Sequence, residues 1–421
     1  MTTFIYTFGC KVNQVESEHF LNRAETAGLQ ISDRPEDADS IILNSCAVTE
    51  RAVNKLLSLL RKIKRNNPDI KLLVTGCAAE MLTEKLKESG ADIVVTNTGK
   101  KDVIQYLTEN RDFLAPIESR TGLDIGYTPM KSRTRAFVKI QDGCDSFCSY
   151  CIIPSLRGKP VSKPMEQVID EVKGLISEGY REIVPVGIHV GKYGRDRGEN
   201  LLDLLERLAC IAGDSRIRLT SIEVNELDER LIPLMNSGKV CPHLHVPIQS
   251  GSRSVLKRMN RHYTPEEYLE KTRRFKEQVK DLTLGGDVIT GFPGETEAEA
   301  AETEELIRSA GVDFLHVFQY SDREGTPASA MPDKVHSSVK KARAANLREL
   351  GEELKNKTAL SMRGRVLRVL AQNDGSGLTD NYFEAELPAD CQKNTFYGID
   401  VREVSEQSFL KGEVFPWTTE R

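Results

Sequence analysis

The chain of 421 residues has 39% hydrophobic and 29% charged residues, the profile of an ordinary globular protein of roughly two to four domains. Its 58 Lys and Arg against 63 Asp and Glu give a net charge of −5, which excludes a globally basic nucleic-acid wrapper but allows local basic patches. No run approaches the ~20 apolar residues of a membrane span, and the first residues lack a secretion signal, so the nine cysteines read as metal or catalytic thiols of a cytoplasmic protein rather than a disulfide scaffold.

Residues 1–130 alternate apolar runs with helical patterns. Thr3–Phe8 precedes a helix over Val15–Ala27, Ser40–Asn44 a helix over Glu50–Arg65, and Lys71–Thr75 a helix over Leu82–Lys87; Asp92–Thr96 is a fourth run. Such repetition predicts a parallel sheet with helices on its faces, an α/β domain. The helix from Glu50 sets Val53, Leu56, Leu57, Leu60 and Ile63 on one stripe. Arg111–Ser132 is rich in turn formers and reads as a linker.

Residues 131–357 continue the alternation. Strands are expected at Ala136–Gln141, Glu182–Gly187, Arg216–Ile222, Leu244–Ile248, Leu282–Ile289 and Val312–Phe318. Helical patterns at Met165–Gly174, Leu201–Ala212, Glu229–Met235, Pro265–Gln278 and Glu297–Ser309 lie between them. Six strands fall short of a closed eight-stranded barrel, so an open, partial (β/α)6 barrel is expected. A helix over Ser338–Asn356 leads into residues 358–421. There the short runs Met362–Leu370, Asp374–Gly377, Tyr382–Leu387, Phe396–Val401 and Gly412–Phe415 predict a small β-barrel.

The sharpest motif is Cys144-x3-Cys148-x2-Cys151, after the first expected barrel strand, between Gly143 and Pro154. Three thiolates this close suit one soft metal centre and supply three of the four ligands of a cubane iron–sulfur cluster. Zinc wants a fourth nearby Cys or His, which the flanking sequence lacks. The iron left without a protein ligand is an open site for an amino-acid-like chelator. A second set is dispersed. Cys10, Cys46 and Cys77 each end an expected strand of the first domain, and in a parallel sheet those ends share one edge, where ligands bind. Gly9 and Gly76 allow a sharp backbone turn before two of these thiols. Cys210 reads as helix core, while Cys241 and Cys391 have no context.

The Cys-x3-Cys-x2-Cys loop with a partial barrel resembles the radical S-adenosylmethionine (SAM) superfamily. The N-terminal three-cysteine domain and the C-terminal β module narrow the resemblance to the methylthiotransferases, over essentially the whole chain. Gly9-Cys10-Lys11-Val12-Asn13-Gln14, Asn44-Ser45-Cys46-Ala47-Val48-Thr49 and Gly187-Ile188-His189-Val190-Gly191-Lys192-Tyr193-Gly194 are similar to the branch acting on N6-threonylcarbamoyladenosine in tRNA. So are Pro247–Ser252, Arg258–Arg261, Asp287–Thr296 and, in the module, which resembles an RNA-binding TRAM barrel, Gly377–Tyr382. Gln319 departs from the family, which usually has Pro before Tyr-Ser. The module itself carries 7 Lys and Arg against 10 Asp and Glu. Phosphate affinity rests on cations, so basic stretches elsewhere are expected to compensate: Arg51–Arg65, Lys131 with Arg133, Arg135 and Lys139, and Lys340–Arg348.

The resemblance implies two 4Fe-4S clusters, one on Cys144, Cys148 and Cys151 binding SAM and one on Cys10, Cys46 and Cys77 holding the sulfur to be transferred. It implies methylthiolation of adenine C2 next to the anticodon, a carbon neither acidic nor nucleophilic, so that a radical route is needed. Two SAM are used, one for the radical and one to methylate the sulfur. Partners are tRNA and a flavodoxin- or ferredoxin-type electron donor, with no membrane and a monomeric chain. At strand ends, Gly187, His189, Gly191, Glu223, Gln249, Ser250 and Asp287 are expected near SAM, and Tyr150 beside its adenine. Alternatives stay open: methylthiolation of a ribosomal-protein aspartate or of an isopentenyl-type adenosine, an iron–sulfur carrier, or a zinc-containing RNA-binding protein.

Overall fold

The computed structural model describes residues 1–120, 122–123, 134–372 and 375–418. The boundary expected at 130, together with Lys131 and Arg133, lies outside the described residues.

The first unit runs β1 (Thr2–Thr7), α1 (Lys11–Thr26), β2 (Gln30–Ile31), β3 (Ser40–Ser45), α2 (Glu50–Asn66), β4 (Lys71–Gly76), α3 (Cys77–Met81), α4 (Thr83–Glu88), β5 (Ile93–Val95) and α5 (Val103–Glu109). All pairings are parallel, in the order β2-β1-β3-β4-β5. Central β3 is buried along its whole length. Its Ile41 and Leu43 pack with Val53, Leu56 and Leu60 of α2, and Ile42 packs on the other face with Phe20 and Val103. Thr49 starts α2 by accepting the Ala52 amide at 3.2 Å. Strand order reverses between β1 and β3, which opens a crevice at their carboxyl ends. Helix α1 starts at Lys11 rather than Val15. The Gly9 turn (φ +96°) delivers the chain straight into it.

The second unit contains β6 (Arg135–Lys139), β7 (Gln141–Asp142), α6 (Ile153–Arg157), β8 (Val161–Ser162), α7 (Met165–Ser177), β9 (Glu182–Val186), α8 (Leu201–Ile211) and β10 (Arg216–Ile217). It continues with α9 (Leu231–Asn236), β11 (His243–His245), α10 (Arg253–Arg258), α11 (Pro265–Gln278), β12 (Thr283–Thr290), α12 (Glu297–Ser309) and β13 (Phe314–Gln319). Parallel sheets β6-β9-β10 and β11-β12-β13 are joined by the bridges Ile217–Val240 and Ser221–His245 into an open six-stranded curve. Capping boxes at Thr264/Glu267 and Thr296/Glu299 start α11 and α12 where the helical patterns begin.

Helix α13 (Ser337–Leu360) lies along β13 and leads to β14 (Val366–Ala371), β15 (Ser376–Thr379), β16 (Glu384–Glu386), β17 (Phe396–Val404) and β18 (Leu410–Pro416), a closed barrel. The helix passes residue 357, and its Ala359 joins Met362, Phe383 and Ile399 in the small barrel's core. The turn Thr379–Tyr382 plugs the amino-terminal end of the large barrel. Arg218 donates to the Asp380 and Thr379 carbonyls, both at 2.9 Å, and Arg216 to the Leu378 carbonyl at 2.8 Å. Tyr382 stacks on His243 with centroids 4.2 Å apart. Buried Glu182 neutralises both arginines, at 2.6 and 2.8 Å.

Candidate functional site

Cys10, Cys46 and Cys77 follow β1, β3 and β4, neighbouring strands, so their thiols emerge on one sheet edge beside the crevice. The motif residues around them staple the three loops together. Asn13 Nδ2 donates to the Phe8 carbonyl at 2.7 Å and the Ser45 carbonyl at 3.0 Å. Ser45 Oγ donates to the Thr75 carbonyl at 2.5 Å and accepts the Ala78 amide at 3.2 Å. Burial pushes the Cys46 thiol up, and negative charge on Cys77 and Cys10 pushes it further. Cys10 is the residue before α1, and Cys77 is the first residue of α3. Arg323 clamps the same loop by donating to the carbonyls of Val48, at 3.0 Å, and Ala47.

Gly76 sits at φ +96°, and a Cβ there would lie 2.4 Å from the Ser45 carbonyl oxygen. Gly76→Ala is therefore expected to lower stability by ~2 kcal/mol or more and to reduce iron uptake during reconstitution. Thermal unfolding and iron analysis check both.

Beneath this edge is a buried ionic cluster. Arg157, with no exposed surface, donates to Glu16 Oε1 at 2.9 Å, Asp142 at 3.1 Å and Asn13 Oδ1 at 2.6 Å. Lys139 adds contacts of 2.8 Å to Glu16 and Asp142, and Lys100 also pairs with Glu16. Burial opposes the charge on Glu16 and Asp142, yet Arg157 and the lysines hold both carboxyls well below their usual range. Lys139 is thus not part of an RNA-facing patch. It neutralises buried acids at the junction of the two α/β units.

Cys144, Cys148 and Cys151 line one cavity of about 590 Å³ with Phe147, Pro154 and Gly158. Among the described residues no fourth cysteine and no histidine lines it, and every cysteine is free. The loop is pinched at its base by the β7–β8 pair, and the Cys144 amide bonds the Gly158 carbonyl at 3.0 Å. A Cβ on Gly143 would meet the Lys159 carbonyl oxygen at 2.2 Å. Two cysteines face a cation that a glutamate holds. His189 Nδ1 lies 3.4 Å from Cys144 Sγ, and its Nε2 lies 2.9 Å from Glu226 Oε1. Arg261 donates to Cys148 Sγ at 3.2 Å and to Glu223. Burial opposes protonation of His189, but the bonds to Cys144 and Glu226 raise its pKa to about 9. For Cys144, burial pushes the thiol up, and the hydrogen bonds from His189 and Ser146 outweigh it and bring it below the usual value. Cys151 is pushed up to about 12 by burial and its neighbouring thiols, which a cation bound among all three would reverse. Three free thiols on one cavity fit a cluster with one iron left open, and the first edge has the same donor set.

Several residues expected at SAM have partners within the protein. His189 and Glu223 support cysteines through the two contacts just described. The space beside Gly191 is taken by Glu226, whose Oε2 would lie 1.8 Å from a Cβ; beside Gly187 stands Gln141, which accepts the His189 amide at 2.9 Å. These glycines make room for supporting side chains. Ser250 is buried, 3.2 Å from Thr303 Oγ1, so its hydroxyl is spent inside the barrel wall. Gln249 adopts φ +60° at the end of the fourth strand, its backbone bonded to Asp287 and Ile289. Asp287 lies in the barrel lumen, with Oδ1 2.9 Å from His245 Nε2 and 3.2 Å from His316 Nδ1. Tyr150 packs edge-on against Phe292, centroids 6.5 Å apart. Arg261, Gln141, Glu226 and Arg157 were missed. Arg261 sits in a stretch already singled out, Arg258–Arg261, but its cysteine contact spans 113 positions. Cys210 is exposed, not core, and Cys241 is buried.

The lumen opens into a cavity of about 370 Å³ lined by Cys10 and Lys11 from the first unit, Arg135, Gly187 and Arg218 from the barrel, and the His245–Asp287–His316 cluster. An adjoining groove of about 470 Å³ carries Arg135, Arg348 and Lys355. On α2, Arg51, Lys55, Arg61, Lys62 and Arg65 are exposed. The Lys340–Arg348 stretch is largely used internally: Arg343 pairs with Glu295 at 2.7 Å and Arg348 donates to the Val317 carbonyl at 3.2 Å.

Residues 138–307 match the model of the Radical SAM superfamily, and residues 2–97 that of Uncharacterized protein family UPF0004. The chain is 38% identical to the threonylcarbamoyladenosine tRNA methylthiotransferase MtaB of Bacillus subtilis (strain 168), over 91% of this chain and 89% of that protein. It is 37% identical to the tRNA-2-methylthio-N(6)-dimethylallyladenosine synthase of Geobacillus thermodenitrificans (strain NG80-2), over 88% of this chain and 74% of that protein. Among solved structures, the radical SAM methyltransferase TsrM of Kitasatospora setae superposes with a TM-score of 0.58 at 12% identity, covering 78% of this chain and 76% of that one. That likeness is one of fold. No helix among the described residues is long and apolar enough to cross a membrane.

Proposed function

Because the chain belongs to the tRNA methylthiotransferases of the radical SAM superfamily, we propose that it adds a methylthio group to C2 of N6-threonylcarbamoyladenosine next to the anticodon of tRNA. The carrying observation is the pair of three-thiol sites, each one ligand short of a cubane, in a chain that aligns over 91% of its length with its threonylcarbamoyladenosine relative. When bound, a 4Fe-4S cluster with SAM at Cys144, Cys148 and Cys151 supplies one-electron cleavage of the sulfonium, and a cluster at Cys10, Cys46 and Cys77 supplies the sulfur.

The chain's own residues hold these groups and the substrate in register. His189 and Arg261 bring positive charge to the sulfurs of Cys144 and Cys148, and Glu226 and Glu223 orient them. Asn13 and Ser45 keep the other three thiols on one edge. Tyr150, beside the cysteines, and Gln249, at a strand end, complete the SAM pocket. The exposed cations of α2, with Lys355, receive tRNA phosphates. A flavodoxin- or ferredoxin-type protein supplies electrons to the chain, which acts as a cytoplasmic monomer.

Identity alone, 38% against 37%, does not separate the threonylcarbamoyl from the dimethylallyl substrate. The lumen sets Lys11, Arg135, Arg218, His245 and Asp287 beside the apolar Val184, Val186, Leu219 and Phe318, and its cations favour an N6 substituent that carries a carboxylate. Mass spectrometry of tRNA nucleosides from cells with and without the gene tests the reading. The methylthio-threonylcarbamoyladenosine peak is expected to vanish with the gene; an undiminished peak overturns it. Anaerobic reconstitution is expected to load about eight irons per chain, and about four would reduce the proposal to one cluster.

A further inference from the structure

We infer that Lys11 is the specificity-determining cation of the lumen and pairs with the carboxylate of the threonylcarbamoyl substituent. This rests on the substrate reading above and extends it to one contact. Lys11 follows Cys10 directly, and both line the lumen cavity of about 370 Å³, so the residue reaches the same space as the thiol edge that supplies sulfur.

The other charged groups around that cavity have partners within the protein. Arg218 is held by Glu182 at 2.8 Å and by the carbonyls of Asp380 and Thr379. Arg135 lies 3.8 Å from Glu182 and over the Phe137 ring. Asp287, the one carboxylate among the described residues that line the cavity, is taken by His245 and His316, whose rings stack 5.1 Å apart. Lys11 is exposed to the cavity, and among the described residues its ammonium group has no hydrogen bond and no ion pair. Helix α1 carries no acidic residue in its first turn to offset this charge. Glu182 is shared by Arg135, Arg216 and Arg218, so the cavity is positive overall, and Lys11 is its cation next to the cysteine edge.

The substrate chemistry has the complementary form. In a purine, C6 and C2 flank N1, so a substituent on N6 and the reacting C2 share one edge of the ring. A substrate that offers C2 to the Cys10 edge thus carries its N6 group along the same wall, where Lys11 stands. A threonylcarbamoyl group ends in a carboxylate and a hydroxyl. The carboxylate meets Lys11, and the hydroxyl faces the polar Asp287–His316 pair. A charge-assisted contact in a partly enclosed cavity is among the stronger polar contacts available to the site.

The test uses the reconstituted full chain and three anticodon stem-loop RNAs, carrying threonylcarbamoyladenosine, its carboxyl methyl ester, or plain adenosine. Affinity is read by fluorescence anisotropy at fixed salt. The native chain is expected to bind the acid roughly tenfold more tightly than the ester. Lys11→Gln is expected to bring that ratio to near one, and Lys11→Arg to keep most of it. Equal binding of acid and ester by the native chain overturns the inference without needing any variant, as does a preference retained in Lys11→Gln. Failure of the substrate reading looks different: the native chain then methylthiolates none of the three RNAs, whereas a wrong assignment of Lys11 leaves methylthiolation of the acid intact.

Discussion

Cys148→Ala is expected to abolish formation of 5′-deoxyadenosine, with at least a ~10³-fold loss of rate, while about four irons per chain remain. The reason is the ligand count. Among the described residues three cysteines and no fourth line the cavity behind Phe147, and His189, beside Cys144, is held by Glu226. Removing Cys148 also takes from Arg261 one of its acceptors and leaves its guanidinium to Glu223. The other thiols are on a separate sheet edge, stapled by Asn13 and Ser45, and do not feel the change. The mirror variant, Cys46→Ala, is expected to keep SAM cleavage and lose methylthiolated RNA, because only the sulfur-bearing edge is broken. Iron analysis, 5′-deoxyadenosine assay and nucleoside mass spectrometry on the two variants read out all four cells of this comparison. Cleavage at the native rate by Cys148→Ala, or sustained product from Cys46→Ala, would show that the two sites have been assigned the wrong tasks.

The placement of the thiols was legible because its signals are local. A strand end, a glycine and a cysteine within a few positions specify where a side chain emerges, and parallel pairing brings such ends together. Helices α11 and α12 were legible for a similar reason, since a capping Thr and a Glu three positions later are readable in one window. The supporting shell was not. The Arg157–Glu16 contact spans 141 positions, and the periodicity that marks apolar residues as buried marks charged ones as exposed. Gly187 and Gly191 illustrate a subtler limit. An unoccupied Cβ position signals close approach, but the sequence does not say whether a cofactor or a side chain such as Glu226 approaches. Likewise, Gly377–Tyr382 was legible as a motif, and only the fold makes it the plug against Arg216 and Arg218.

Arg157→Met is expected to cost about 3–5 kcal/mol of stability and, separately, to deplete iron at Cys10, Cys46 and Cys77. Methionine keeps much of the volume but removes every donor. Glu16 and Asp142 remain fully buried with only Lys100, Lys139 and Arg120 to balance them. Asn13 loses its 2.6 Å bond from Arg157 and with it part of its hold on the loops of Phe8 and Ser45. Burial works against the charge on Arg157; Asp142 and Glu16, then Cys77 and Cys10, work for it, so the same guanidinium neutralises the acids and faces the thiol edge. The pH dependence separates this account from simple loss of packing. Both carboxyls are held below their usual values, so their contribution is present above about pH 4, the unfolded value, and is lost as pH falls toward the lowered folded values. The stability gap between native chain and variant is therefore expected to be widest near neutrality and to narrow below about pH 4. Denaturation midpoints measured at both pH values decide it: a gap that does not change with pH would mean that Arg157 acts through its shape and not its charge.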